Sequence, residues 1–114
     1  VTEAAVQQQV RLEAPRRNWH LWRNNSGAGK LENGSFLRWG LANDSEQLNK
    51  RLKSSDLIGI DETGKFLAIE CKPPGWRLTP GDARGHAQLA FINLVLAKGG
   101  RAGFVTSIHD LDLL

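Results

Sequence analysis

An α/β fold, a mixed sheet flanked by helices, is what this sequence predicts, on three observations. Residues 55–60 and 66–72 are apolar runs joined by the turn-forming Asp61-Glu62-Thr63-Gly64-Lys65, a link short enough for a β-hairpin. Both faces of that hairpin are apolar over most of its length, with Ile58, Ile60, Phe66 and Ala68 on one and Leu57, Leu67, Ile69 and Cys71 on the other. Strands covered on both sides belong in the middle of a sheet sandwiched by helices. Finally, a helical stretch opened by Thr79-Pro80 and closed by Gly99-Gly100 precedes the short apolar run 102–106, the pattern of a crossover into a parallel strand.

The remaining elements follow in order. Residues 2–14 read as a helix, with Thr2 as cap, Glu3 at the positive end, and Ala4, Ala5, Val6, Val10 and Leu12 on an apolar side. Pro15 ends it, and residues 18–24 form an aromatic strand. A glycine-containing polar loop over 25–35 reads as a flexible hairpin connection to a returning strand over 36–41. Within it Ser26-Gly27-Ala28-Gly29-Lys30 fails as a P-loop, because Asn24 stands where the first glycine belongs and Leu31 replaces the Ser or Thr that binds magnesium. Lys30 remains available to a polyanion. Trp19, Trp22 and Trp39 alternate with Arg23 and Arg38 in a way that suits base stacking and phosphate contact, yet at least two of the three tryptophans are expected to be core packing. Residues 42–53 form a polar loop or short helix carrying Lys50, Arg51 and Lys53. Pro73-Pro74-Gly75 stops the second strand of the hairpin, and Trp76-Arg77 is either a stacking and phosphate pair or a loop anchor. The helix that follows turns Ala83, Ala87, Ala90, Phe91, Leu94 and Val95 inward, with Gln88 bordering that stripe. Ser107 caps a short final helix through Leu114.

Composition bounds the partners. A chain of 114 residues suits one domain with one core. With 15 Lys and Arg against 12 Asp and Glu it is mildly basic, which suits a phosphate-rich partner without requiring one. The single Cys71 argues against a disulfide scaffold and fits a reducing cytosol. No apolar run approaches the roughly 20 residues of a membrane span, and no signal-peptide core is present, so a soluble cytoplasmic protein is expected.

The chemistry concentrates on the hairpin. Side chains alternate along a strand, so Glu70 and Lys72 share a face. If the link sets Ile60 opposite Phe66, Asp56 falls opposite Glu70 on that face. Two adjoining carboxylates repel and are costly to desolvate, and a cation between them relieves both effects. The bland alternative is an ordinary ion pair of Lys72 with Glu70 or Asp56 at a strand end. His20, His86 and His109 are scattered and offer no zinc-like set with the one cysteine.

Thr2-Glu3-Ala4-Ala5-Val6-Gln7, Ser55-Asp56-Leu57-Ile58-Gly59, Glu70-Cys71-Lys72, Gln88 and residues 99–105, taken in that order across almost the whole chain, resemble the PD-(D/E)XK nuclease superfamily and, within it, the VRR-NUC domain. The resemblance implies a restriction-endonuclease-like core of order α-β-β-β-β-α-β-α. It implies that Asp56, Glu70 and the backbone carbonyl of Cys71 bind a divalent metal, magnesium or manganese, and that Glu3 holds metal directly or through water. Lys72 would orient or deprotonate the attacking water, and Gln88 would order the site. One departure is Ser55, where the pattern has proline. Stand-alone domains of this kind look phage or bacterial, which implies a homodimer in the cytoplasm that cuts branched DNA, Holliday junctions among the candidates. Arg23, Lys30, Arg38, Lys53, Trp76 and Arg77 are the candidate DNA contacts. Two other readings stay open: a restriction-type or nicking endonuclease, and a non-catalytic DNA-binding module.

Overall fold

The computed structural model describes residues 1–114. Helix α1 spans Glu3–Glu13; the extended Thr2 accepts a hydrogen bond from the Ala5 N–H at 3.1 Å. Such a cap contributes about 1 kcal/mol and fixes where the helix begins, which here fixes Glu3. The helix buries Val6 and Val10, one turn apart. A 3-10 turn over Ala14–Arg17 follows, and Asn18 closes it in the left-handed region.

Next come β1 (His20–Arg23), β2 (Gly27–Lys30), β3 (Phe36–Trp39), α2 (Glu46–Arg51), β4 (Leu57–Ile60), β5 (Phe66–Cys71), α3 (Ala83–Ala97) and β6 (Arg101–Val105), with a last 3-10 helix over Ile108–Leu113. The main sheet is mixed, in the order β1-β4-β5-β6. The first three strands are antiparallel neighbours, and β6 runs parallel to β5 after the crossover through α3. No helix is long and apolar enough to cross a membrane.

The expected sandwich is present. On one face Leu57, Leu67, Ile69, Cys71 and Val105 pack against Val6, Val10, Ala14, Trp19 and Leu111. On the other, Ala68 and Ala102 meet Phe91, Ile92 and Val95 of α3. Leu57, Leu67 and Ile69 are fully buried, and truncating any of them to alanine costs about 2–5 kcal/mol.

Several expectations are corrected. The segment 25–35 is not simply a connection, because it contains β2, and β3 pairs with β2 as a separate two-stranded sheet while β1 pairs with β4. Glycine at positions 27 and 29 hides the strand from propensity, and the Trp39 ring packs over Gly27, where a Cβ would sit 2.6 Å from it. Only Trp19 of the three tryptophans is buried, whereas Trp22 and Trp39 are 56% and 47% exposed. Thr79-Pro80 does not start α3. Pro80 lies in a turn closed by the Asp82 N–H donating to the Thr79 carbonyl, and Asp82 is the cap, accepting from Gly85 N–H at 2.8 Å. The inner face of α3 is consequently Ala87, Gln88, Phe91, Ile92 and Val95, with Ala83 and Leu94 exposed and Ala90 half-buried. Residues 108–113 are 3-10 helix, and Ser107 makes no side-chain cap.

The β4–β5 turn is held by Asp61. Its Oδ1 accepts from Thr63 N–H at 2.8 Å, Thr63 Oγ1 at 2.7 Å and Lys65 N–H at 2.9 Å, and its Oδ2 pairs with Arg101 at 3.3 Å. Burial acts to raise the Asp61 pKa, but these donors outweigh it and hold the carboxyl well below the usual range. A carboxylate with a depressed native pKa stabilises the fold above its unfolded value, about 3.9, and that contribution disappears as pH falls toward the native value. Thermal melts between pH 6 and pH 2 should therefore show a steep acid limb. Asp61→Asn should melt lower at neutral pH and show a shallower limb; an unchanged limb would remove Asp61 as its source.

Candidate metal and nucleic-acid site

The site stands at the end of the central hairpin because of register. Ile60 pairs with Phe66 and Leu57 with Ile69, so one further step sets Asp56 beside Glu70. Asp56 is tied at both ends: its carbonyl accepts from Asn24 N–H at 2.7 Å, and its Oδ2 accepts from Cys71 N–H at 3.1 Å. Glu3, the first residue of α1, completes a cluster in which one ligand oxygen each from Glu3, Asp56 and Glu70 lies within 4.8 Å of the others.

Glu70 is only 2% exposed. Burial, and then the neighbouring Asp56 carboxylate, push its pKa well above the ordinary range, with the Lys72 charge opposing them. Such a pair cannot ionise fully without a compensating cation. The donors are all carboxylate oxygens, and no histidine joins them. The cluster therefore could hold a metal ion of the hard, oxygen-preferring kind. Cys71 contributes no reactive thiol, because its side chain is fully buried and its pKa is raised by that burial and by Asp56 and Glu70.

Lys72 emerges from the strand one pleat beyond Glu70. Its N–H donates to the Val105 carbonyl at 2.9 Å, and its Nζ lies 5.0 Å from the Trp76 ring centre and 5.9 Å from that of Phe104. Trp76 and Phe104 pack on each other with centroids 4.6 Å apart. Trp76 is therefore a loop anchor that also steadies the ammonium through a cation–π contact.

A polar pocket of about 270 Å³ opens beside the carboxylates, and Ala28 is its one apolar lining side chain. Asp56, Glu70 and Gln88 line it, together with Arg38 and Lys53 from the sequence-predicted contacts and with Arg84. Gln88 is 3% exposed and its amide oxygen has no hydrogen-bond partner. Of the sequence-predicted residues, Glu3, Lys72 and Trp76 do not line this pocket, and neither do the exposed Arg23, Lys30 and Arg77.

Sequence reasoning missed Arg84. Its signal was present, since Arg84 precedes Gln88 by four residues and so lies one helical turn away on α3. Asn43 was missed as well. It is buried, donates to the Gly27 and Trp39 carbonyls at 2.9 Å each, and accepts from Arg38, which locks the β2–β3 hairpin over the pocket. No family model, no curated protein and no solved structure matches this chain.

Proposed function

We propose that the chain is a divalent-metal-dependent endodeoxyribonuclease of the PD-(D/E)XK superfamily, of the VRR-NUC branch, hydrolysing phosphodiester bonds in branched DNA. The observation that carries this reading is the meeting of Glu3, Asp56 and Glu70 from two separate parts of the fold, with Gln88 and Lys72 beside them. A first helix, a central antiparallel hairpin and a helix leading to a parallel strand also agree with the superfamily core. Ser55 stands in place of the pattern's proline; its carbonyl accepts from Asn24 Nδ2 at 2.9 Å, while its buried hydroxyl has no hydrogen-bond partner.

Glu3, Asp56 and Glu70 would hold magnesium or manganese, and that ion would supply Lewis-acid stabilisation of charge developing on the phosphate. The protein does the rest. Lys72 presents a positive charge that orients the attacking water and stabilises the scissile phosphate. Gln88 offers its unpartnered amide oxygen, an acceptor, to that water. Water attacks phosphorus in line and gives up a proton to solvent, the opposite P–O bond breaks, and the departing oxygen takes up a proton from solvent.

The deciding experiment is magnesium-dependent cleavage of duplex, nicked, flap, single-stranded and four-way substrates, with Lys72→Ala beside the wild type. The wild type should prefer branched substrates, and Lys72→Ala should cut about 100- to 1,000-fold more slowly. Equal cutting by the variant, or no cutting by the wild type, would sink the assignment, and the second outcome would favour a non-catalytic DNA-binding module. One observation favours a sequence-reading endonuclease as second reading: β2–β3 is a two-stranded ribbon with Lys30, Phe36 and Leu37 exposed, and such a ribbon fits the major groove. Efficient cutting of one duplex sequence would select it.

A four-way junction has two-fold symmetry, and a domain of this size can match it only by pairing two copies. Light scattering at micromolar concentration should give the mass of a homodimer, alone or with DNA. A monomer under both conditions would remove paired resolution.

A further inference from the structure

We infer that Arg38, Lys53 and Arg84 form an anion subsite that binds a phosphate ester next to the carboxylate cluster. The subsite deepens the nuclease reading and rests on it for the identity of the strand that carries the phosphate.

The three cations come from separate places, β3, the segment after α2 and the first turn of α3, and converge on the one pocket that Asp56 and Glu70 also line. None of them forms an ion pair, whereas Arg17, Lys50 and Arg101 each meet a carboxylate within 4.0 Å. Neutral amides hold two of them instead. Arg38 donates from Nε to the Asn43 carbonyl at 3.0 Å and from Nη2 to Asn43 Oδ1 at 2.7 Å, and the Lys53 ammonium donates to Asn49 Oδ1. Their charges are therefore positioned in advance but left uncompensated. Lys53 feels the consequence, since burial first and then Arg84 and Arg38 lower its pKa.

Gln88, on the same pocket wall, keeps a buried amide oxygen with no partner; as an acceptor it is completed by a water that bridges to the bound anion, not by a phosphate oxygen directly. A phosphate matches donors arriving from three directions, because its oxygens are arranged tetrahedrally, while a planar carboxylate is satisfied by a single two-pronged donor. The phosphate can be a diester inside a strand or a monoester at a strand end.

Inorganic phosphate is the first probe, used on the whole chain in EDTA so that no cleavage intervenes. At millimolar concentration it should raise the melting temperature of the wild type and of Arg11→Ala more than sodium chloride of equal ionic strength does. Arg84→Ala and Lys53→Met should each bind it on the order of 10-fold more weakly. Arg84 is exposed, so its removal leaves the core intact. A response matched by sodium chloride, or retained in full by both variants, overturns the subsite.

Fluorescence anisotropy with short oligothymidylates, bearing or lacking a terminal phosphate, then identifies the source. Tighter binding of the phosphorylated strand that Arg84→Ala abolishes assigns a terminal monoester. Equal binding of both strands, weakened alike by Arg84→Ala, assigns an internal diester. Indifference of both strands to Arg84→Ala again overturns the subsite. A protein that binds phosphate through Arg84 yet cuts no DNA keeps this subsite and loses the nuclease; cutting by Arg84→Ala with wild-type KM and kcat does the reverse.

Discussion

Glu70→Gln will melt at a higher temperature than the wild type in metal-free buffer and will no longer respond to magnesium. The wild-type side chain is almost fully buried beside Asp56, and both circumstances favour its protonated form. A carboxyl whose native pKa is raised makes the native state bind a proton that the unfolded chain releases, so stability falls as pH climbs from the unfolded value, about 4.3, toward the native one. Glutamine carries no charge at any pH and keeps an amide that can donate to Asp56. The gain at neutral pH should be on the order of 5 °C, the shift expected for about 1 kcal/mol in a domain of this size. Magnesium should stabilise the wild type by supplying the missing positive charge, and should leave Glu70→Gln unchanged. Differential scanning calorimetry with EDTA and then with magnesium tests both halves. A variant that melts lower than the wild type without metal would mean that Asp56 and Glu70 do not repel. A variant that still gains stability from magnesium would move the metal elsewhere.

The largest loss of stability is expected at Gly59. It lies in β4 opposite Leu21 of β1, and a Cβ there would stand 1.8 Å from the His20 carbonyl oxygen and 3.0 Å from the Leu21 Cα. Both obstacles are backbone, which a rotamer change cannot move. Gly59→Ala should cost more than about 3 kcal/mol or prevent folding, because β1 must leave the sheet to admit the methyl group. Gly64→Ala is the contrast. Its φ of +91° strains any side chain, but nothing lies within 4 Å of the added carbon, so a loss of about 1–2 kcal/mol is expected. Urea melts of the two variants compare them directly, and equal losses would show that close strand approach at Gly59 is not limiting.

The parts of this fold that sequence revealed are those in which local pattern and burial agree. The β4–β5 hairpin is apolar on both faces, its turn is short, and its register follows from counting residues, so Asp56 could be set beside Glu70 without coordinates. Thr2 and the valines one turn apart marked α1 for the same reason. What stayed hidden depends on partners distant in the chain. Nothing local tells β1 to pair with β4 and not with β3, because strand pairing is decided by which edge the sheet leaves open. Tryptophan at 22 and 39 has the composition of core, and only the outward placement of these strands exposes it. Thr79-Pro80 carries a strong start signal, but Asp82 offers a better-placed oxygen three residues later. Arg84 sits one turn from Gln88 in the sequence, but its company with Arg38 and Lys53 depends on the 25–55 segment folding back over the same pocket.

The pairing of β1 with β4 has a consequence for how such a chain diversifies. Residues 25–55 leave the sheet and return to it at one point, where Asn24 N–H donates to the Asp56 carbonyl and Asn24 Nδ2 to Ser54 Oγ at 2.7 Å. An excursion whose two ends already meet can be lengthened, shortened or exchanged without changing the register of any strand in the main sheet. Arg38 and Lys53 belong to that excursion, whereas Glu3, Asp56, Glu70 and Lys72 belong to the frame that encloses it. Two of the three cations of the proposed subsite thus lie on a stretch separable from the carboxylates, and grafting a different 25–55 segment between β1 and β4 would exchange them while leaving Arg84, Glu3, Asp56 and Glu70 in place.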